Sequence, residues 1–354
     1  MLSSLKQRLS AGIVILLALG FPAPAEAKDG FRVAWSIYVG WMPWGWAADN
    51  GIVKKWADKH GIAIEVVQIN DYVESINQYT AGGFDGCVMT NMDALTIPAV
   101  GGVDSTALIV GDFSNGNDGI VSKTAKSVAE LKGEKLNLVE LSVSHYLLAR
   151  ALEKNGLAER DLGGVVNTSD ADLVGVYTST ADVEHVVTWN PLLSEVAAVP
   201  GSAKLFDSSQ IPGEIIDLMV VNSDALKENP AFGKALVGAW YETIAIMAGD
   251  DAAGKAAREA MAKASGTDLA GFDAQLKATR MFYQPAEAVA FTTGPELAAT
   301  MEGVRRFSAA HGLMQGGVDS VGIAFPGGRT LGDKANVKLR FTEEYMKMAA
   351  NGGL

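Results

Sequence analysis

The sequence predicts an α/β protein of two lobes, and three observations predict it. The chain has 354 residues, more than one hydrophobic core usually serves. Its first third alternates short β-branched runs with helix-like stretches, as βαβ units and parallel-rich sheets do. A polar, Gly-rich segment, Gly111 to Gly119 (GDFSNGNDG), interrupts that alternation, which restarts behind it. The expected division is a leader over 1–27, one lobe built from 28–115 with 215–354, and a second lobe over 116–214. Two crossings between lobes leave a cleft, where ligands tend to bind.

The elements follow in order. Phe31 to Ser36 alternates as a strand, and a Trp-rich turn leads into a helical stretch ending near Lys59. Ala63 to Ile69 is a β-branched strand, Tyr72 to Ala81 a helix, Gly86 to Thr90 a strand, Asp93 to Val100 a helix, and Ser105 to Val110 a strand. Gly111 to Gly119 carries no apolar period and reads as a hinge. Beyond it come a strand at Leu136 to Leu141 and a helix at Ser144 to Asn155, closed by Gly156. Gly164 to Asn167 and Glu184 to Thr188 are further strands, and Ile215 to Asn222 is a strand returning to the first lobe. Helices are expected at Pro230 to Ala248, Asp251 to Ala264, Leu269 to Ala278, Pro285 to Phe291, Gly294 to His311 and Phe341 to Ala350.

The N-terminus has the grammar of an export signal. Lys6 and Arg8 precede an apolar run, Ala11 to Phe21, and Ala25-Glu26-Ala27 places small residues at a cleavage site. The run is shorter than the ~20 residues of a membrane span, and no cysteine follows it to carry a lipid. Cleavage near Ala27 and a periplasmic location are expected. Acidic residues outnumber basic ones, 41 to 29. That balance argues against a nucleic-acid partner, which requires a basic surface. The single cysteine, Cys87, excludes an internal disulfide or a cysteine-rich metal site. No cofactor is expected, and no histidine pair has metal-ligand spacing.

Four strings carry a resemblance: VAWSIYVGWMPWGWAADNGI (33–52), INQYTAGGFDGCVMTNMDAL (76–95), NLVELSVSHYLLARALEKNGL (137–157) and VVTWNPLLSEV (186–196), with LRFTEEYMKMAANGGL at the C-terminus. In their order and spacing the chain resembles periplasmic substrate-binding proteins of ABC importers. The subgroup is the nitrate/sulfonate/taurine-like one, whose members of this appearance are labelled urea or guanidine importers. The resemblance implies a type II periplasmic-binding-protein fold, no enzymatic activity, a monomer, and an inner-membrane ABC permease as partner. It also implies a cleft built from named positions. The loop after the first strand supplies Ser36, Tyr38, Trp41 and Trp44; the third strand's turn supplies Thr90, Asn91 and Asp93; the hinge supplies Asp112 and Asn115. The second lobe supplies Glu140, Ser142, Ser144, His145, Trp189 and Asn190, and the returning strand brings Asp217 near.

The residue types at these positions depart from an anion site. The segments expected to line the cleft contain Asp71, Glu74, Asp93, Asp112, Asp118, Glu140, Glu214 and Asp217, and no Lys or Arg. Sulfonate or nitrate needs donors. Guanidinium suits the inventory: it is planar, fully donating, paired by carboxylates and stacked on Trp. Urea, which would take its donor from Asn91, Ser142 or Asn190, is one alternative. A quaternary-ammonium ligand is another, and requires three or more rings converging on one point. Bland readings stand beside several of these. Trp41 and Trp44 serve either the cleft or the core. Asp93 serves the ligand or caps a helix. Asp217 faces ligand or a hinge donor. Asp71, Glu74 and Asp118 read as solvated loop acids, and His145 as helix-face packing. An exported hydrolase is the rival class, without a G-x-S-x-G elbow or an evident partner for His145.

Overall fold

The computed structural model describes residues 28–354, so the expected leader and cleavage site lie outside the described residues. Among the described residues no helix is long and apolar enough to cross a membrane.

The strands are β1 Gly30–Trp35, β2 Ala63–Gln68, β3 Gly86–Thr90, β4 Ser105–Ser114, β5 Asp118–Ser122, β6 Lys135–Leu138, β7 Gly164–Asn167, β8 His185–Trp189, β9 Ala203–Asp207, β10 Ile216–Asn222, β11 Thr279–Met281, β12 Gly322–Ala324, β13 Thr330–Leu331 and β14 Val337–Phe341. They form two sheets. The larger runs β13-β12-β14-β4-β10-β3-β1-β2, with β11 joined to β4; the smaller runs β7-β6-β8-β5-β9. The architecture is α/β and two-lobed, as expected, with helices flanking both sheets.

The sheets are more mixed than the alternation suggests. β1 pairs in parallel with β2 and β3, as βαβ units require. β10 runs antiparallel to both β3 and β4. The reason is the route of the chain: β10 returns from the other lobe, enters the larger sheet at its cleft edge and therefore points the opposite way. β5 is likewise antiparallel to β8 and β9.

The segment expected as a loose hinge is mostly strand. β4 extends to Ser114 and β5 begins at Asp118, leaving three residues between them. Both crossings are tied together. Ser114 and Ser208 share a hydroxyl–hydroxyl bond of 2.7 Å, and the Gly116 amide donates to the Ser208 hydroxyl at 2.7 Å. Three further corrections apply. The stretch read as one helix to Lys59 is two, Met42–Asp49 and Ile52–Lys59. The helix Asp170–Ser179 was not legible, nor were β9 and β11 to β14. Phe341 closes β14, and the last helix is Glu344–Ala350.

Each lobe buries its own apolar faces. In the smaller sheet Ile120 packs with Leu136, Leu138 and Leu147, while its neighbour Val121 packs on the opposite face with Leu173, Tyr177 and Val196. This is the period-two alternation of a strand covered on both sides. Trp189, Val139 and Tyr146 of the second lobe join the core of the first, so the lobes are closed on one another.

Candidate functional site

The site begins as one row of side chains across the larger sheet. Asp217 on β10 stands opposite Asp112 on β4 and Thr90 on β3. The facing row belongs to the smaller sheet, where Asp118 of β5 stands opposite Trp189 of β8. Both rows lie at strand ends that meet at the crossings, so closing the lobes brings Asp112, Asp118 and Asp217 into one buried group.

Two small chambers surround this group. The outer one, with a cavity volume of about 20 Å³, is lined by Tyr38, Trp41, Tyr72, Thr90, Ile215 and Asp217 from the first lobe, and by Asp118, Val143 and Trp189 from the second. Its rings pack edge to face: Tyr38 on Trp41 with centroids 5.1 Å apart, and Tyr72 on Trp189 at 5.6 Å, while Trp41 and Tyr72 are tilted at 5.5 Å. The inner chamber, about 10 Å³, lies within the first lobe. Trp41, Trp44, Trp240, Gly111, Asp112 and Asp217 line it, over a floor that includes Val88, Ile109 and Met219. Trp44 stacks on Trp240 with centroids 5.3 Å apart. Neither chamber has a Lys, Arg or His among its lining residues.

The polar atoms here are poorly satisfied. Asp112 with both its oxygens, Asp217 through Oδ2, Asp93 through Oδ1, the Tyr38 hydroxyl and the Trp41 and Trp240 indole nitrogens make no hydrogen bond to any described residue. Buried polar groups are otherwise paired almost without exception. Burial, with no compensating cation, pushes the Asp118 carboxyl up to about 7. Burial raises Asp112, and burial together with the charge of Asp112 raises Asp217 further. The same burial, reinforced by Asp217 and Asp112, raises the Tyr38 phenol.

The residues expected at the site divide. Trp189, Trp44, Trp41, Tyr38, Asp112 and Asp217 line the chambers. Asp93 is buried one layer behind: it accepts from the Tyr72 hydroxyl at 2.6 Å and the Thr90 hydroxyl at 2.9 Å, and so orients two lining residues. Burial raises it to about 6, although those two hydrogen bonds oppose the rise. Ser36 and Ser144 are buried with unbonded hydroxyls, outside both linings. Asn91 braces the return crossing, accepting from the Ile216 amide at 3.0 Å. Asn190 donates to Asn117 at 2.7 Å, and Ser142 caps the helix Val143–Lys154. These three serve the backbone rather than the cavity.

Two expectations are corrected. Glu140 is exposed and lies at an outer recess with Asp71, Glu74 and Asp170, not in either chamber; β6 ends at Leu138, two residues before it. Asp118, read as a solvated loop acid, is 3% exposed, because the Gly-rich crossing folds as strand. Tyr72 and Trp240 were missed. Tyr72 opens an amphipathic helix and Trp240 lies mid-helix, so neither stood out from core.

His145 is also corrected. It meets His311, 166 positions away, across Glu159: His145 Nε2 is 3.0 Å from Oε2, and His311 Nε2 is 2.7 Å from Oε1. The other ring nitrogens differ. His145 Nδ1 accepts the Leu141 amide at 3.1 Å, whereas His311 Nδ1 donates to the Phe307 carbonyl at 2.8 Å. This trio has the composition of a metal-ligand set. Nδ1 of His145 already accepts a proton donor, so Nε2 is the protonated nitrogen. The geometry is therefore that of a hydrogen-bonded latch between lobes. Burial would raise Glu159, but the hydrogen bonds and charges of both histidines outweigh it and hold the carboxyl below its usual range.

Comparison with known proteins adds the following. The NMT1/THI5-like family matches residues 50–252. No functionally curated protein matches the sequence. Among solved structures, the periplasmic aliphatic sulphonate-binding protein SsuA of Escherichia coli is similar, with TM-score 0.66, 18% identity and coverage of 81% of this chain and 94% of that one. The alkanesulfonate-binding SsuA of Xanthomonas axonopodis pv. citri, solved bound to MOPS, has TM-score 0.65, 15% identity and coverage of 82% and 96%. The nitrate-binding NrtA of Synechocystis PCC 6803 has TM-score 0.58, 13% identity and coverage of 92% and 99%. At these identities the likeness is one of fold.

Proposed function

The chain belongs to the NMT1/THI5-like family, and on that premise we propose that it is the periplasmic solute-binding component of an ABC importer. It captures a small organic cation between its lobes and delivers it to a membrane permease. The solved neighbours named for sulfonate and nitrate share its fold, but the ligand class follows from its own side chains. One observation carries the reading: Asp112, Asp118 and Asp217 are buried together against aromatic rings, with no basic side chain lining either chamber. An anion placed there would meet uncompensated carboxylates, a cost of several kcal/mol. A cation supplies the missing charge, and its N–H groups supply donors for the unbonded oxygens.

Guanidinium is the favoured cation. Its plane can lie against Trp41 or Trp189 while its edge meets Asp118 and Asp217, with a cation–π contribution of roughly 0.5–2 kcal/mol. Urea has the same shape without the charge and leaves the carboxylates uncompensated. A quaternary ammonium is the second reading, favoured by four rings, Tyr38, Trp41, Tyr72 and Trp189, around the outer chamber.

The test is a thermal-shift and calorimetry panel of guanidine, methylguanidine, choline, urea, taurine and nitrate. Stabilisation by guanidine or methylguanidine, and none by taurine or nitrate, is expected. A shift with the anions alone would overturn the cation reading. A shift with choline but not guanidine would select the aromatic cage.

A further inference from the structure

The outer chamber accounts for Asp118 and one side of Asp217, and leaves the inner chamber unexplained. That chamber lies wholly within the first lobe and shares Trp41 and Asp217 with the outer one. We infer that the inner chamber is a second cation subsite for a protonated primary amine, so that the ligand is a small dication with one basic group in each chamber. This inference rests on the cation reading above.

Three features point to it. The first is charge. Asp112, Asp118, Asp217 and, one layer back, Asp93 are all buried and have no basic neighbour in either lining. A monocation offsets one carboxylate and leaves the others uncompensated in a low-dielectric site. The second is donor arithmetic. Both oxygens of Asp112 and Oδ2 of Asp217 accept no hydrogen bond from a described residue, and a primary ammonium has three N–H donors. A water molecule in the same place offers two donors and no charge. The third is the wall. Trp41, Trp44 and Trp240 surround the inner chamber with indole rings, the ring type that best accommodates a desolvated cation. Asp112 and Asp217 stand opposite each other on adjacent antiparallel strands, where like charges repel. A cation between them converts that repulsion into attraction.

The shared Asp217 and Trp41 place the two groups on one molecule. Because the two chambers share Trp41 and Asp217 as a common wall, the spacer is a short alkyl chain. The ligand class is thus an aminoalkyl guanidine or short diamine. Because no residue of the second lobe lines the inner chamber, the amine docks on the first lobe and closure then covers the second group.

The experiment is calorimetry on the full mature chain with methylguanidine, n-butylamine, 1,4-diaminobutane and agmatine, repeated with Asp112→Asn. At least one dication is expected to bind tenfold or more tightly than either monocation. Asp112→Asn should reduce that advantage at least tenfold. This variant removes a buried like charge, and an unchanged or raised melting temperature will establish that it folds. A monocation that binds within tenfold of the best dication, or an Asp112→Asn variant that keeps the dication advantage, overturns the second subsite while leaving the cation site standing. Binding of none of the four amines overturns the cation reading itself.

Discussion

At the scale of single residues, the deciding contrast is between Asp118 and Glu140. Both are acids in the second lobe's cleft-facing segments. Glu140 stands at the end of an apolar run, which made it look buried, yet it is exposed because β6 stops short of it. Asp118 stands in a Gly-rich stretch, which made it look solvated, yet pairing of β5 with β8 sets it beside Trp189. Asp118→Asn is accordingly expected to weaken guanidinium-type binding at least tenfold by calorimetry, and Glu140→Gln to change it less than threefold. The reverse order would return the site to the outer recess. Protonation gives a second check. Asp118 titrates near 7 and Asp112 and Asp217 are raised, so in mildly acid solution a bound cation must displace protons. Affinity should therefore increase at least threefold from pH 6 to pH 8. A flat profile would mean that these carboxylates do not touch the ligand.

At the scale of elements, the loop after β1 and the two crossings do most of the positioning. A Cβ on Gly40 would stand 2.7 Å from Asp112 Oδ2 and 2.9 Å from a ring carbon of Tyr38. Gly40→Ala is expected to cost about 1–3 kcal/mol of stability through overpacking, and to weaken binding by shifting both side chains; thermal melts with titrations measure each effect. The His145–Glu159–His311 contact links the second lobe to the end of the helix Pro295–Ala310. Removing its charge in Glu159→Gln should speed ligand dissociation threefold or more in stopped-flow measurements, since Glu159 of the second lobe holds His311 of the first. An unchanged dissociation rate would mean the latch does not hold closure. Periodicity located β1, β2, β3 and the long C-terminal helices closely, because each has a strong one-sided or fully apolar pattern. It missed β9 and β11 to β14, which are short edge or near-edge pieces stabilised by neighbours rather than by their own pattern.

At the scale of the whole molecule, the buried acids set a pH dependence of stability. Their carboxyls hold protons to higher pH in the folded chain than in the unfolded one. The folded state therefore binds more protons between roughly pH 4 and 7, and stability falls as pH rises through that window. The ligand-free protein should melt at a lower temperature at pH 8 than at pH 5.5. A bound cation should narrow the gap by giving the ionised acids a partner. A melting temperature rising with pH would contradict the buried-carboxylate account. By itself the sequence determined the α/β class, the two lobes and the acidic, aromatic character of the segments that line the chambers, because composition and local period are properties of contiguous residues. Only the tertiary structure decided which acids share a cavity, that Asp93 acts from behind Tyr72 and Thr90, that Trp240 walls a second chamber, and that His145 finds His311. Those facts depend on strand register and lobe closure, which join residues up to 199 positions apart, as with Trp41 and Trp240, and leave no trace in local pattern.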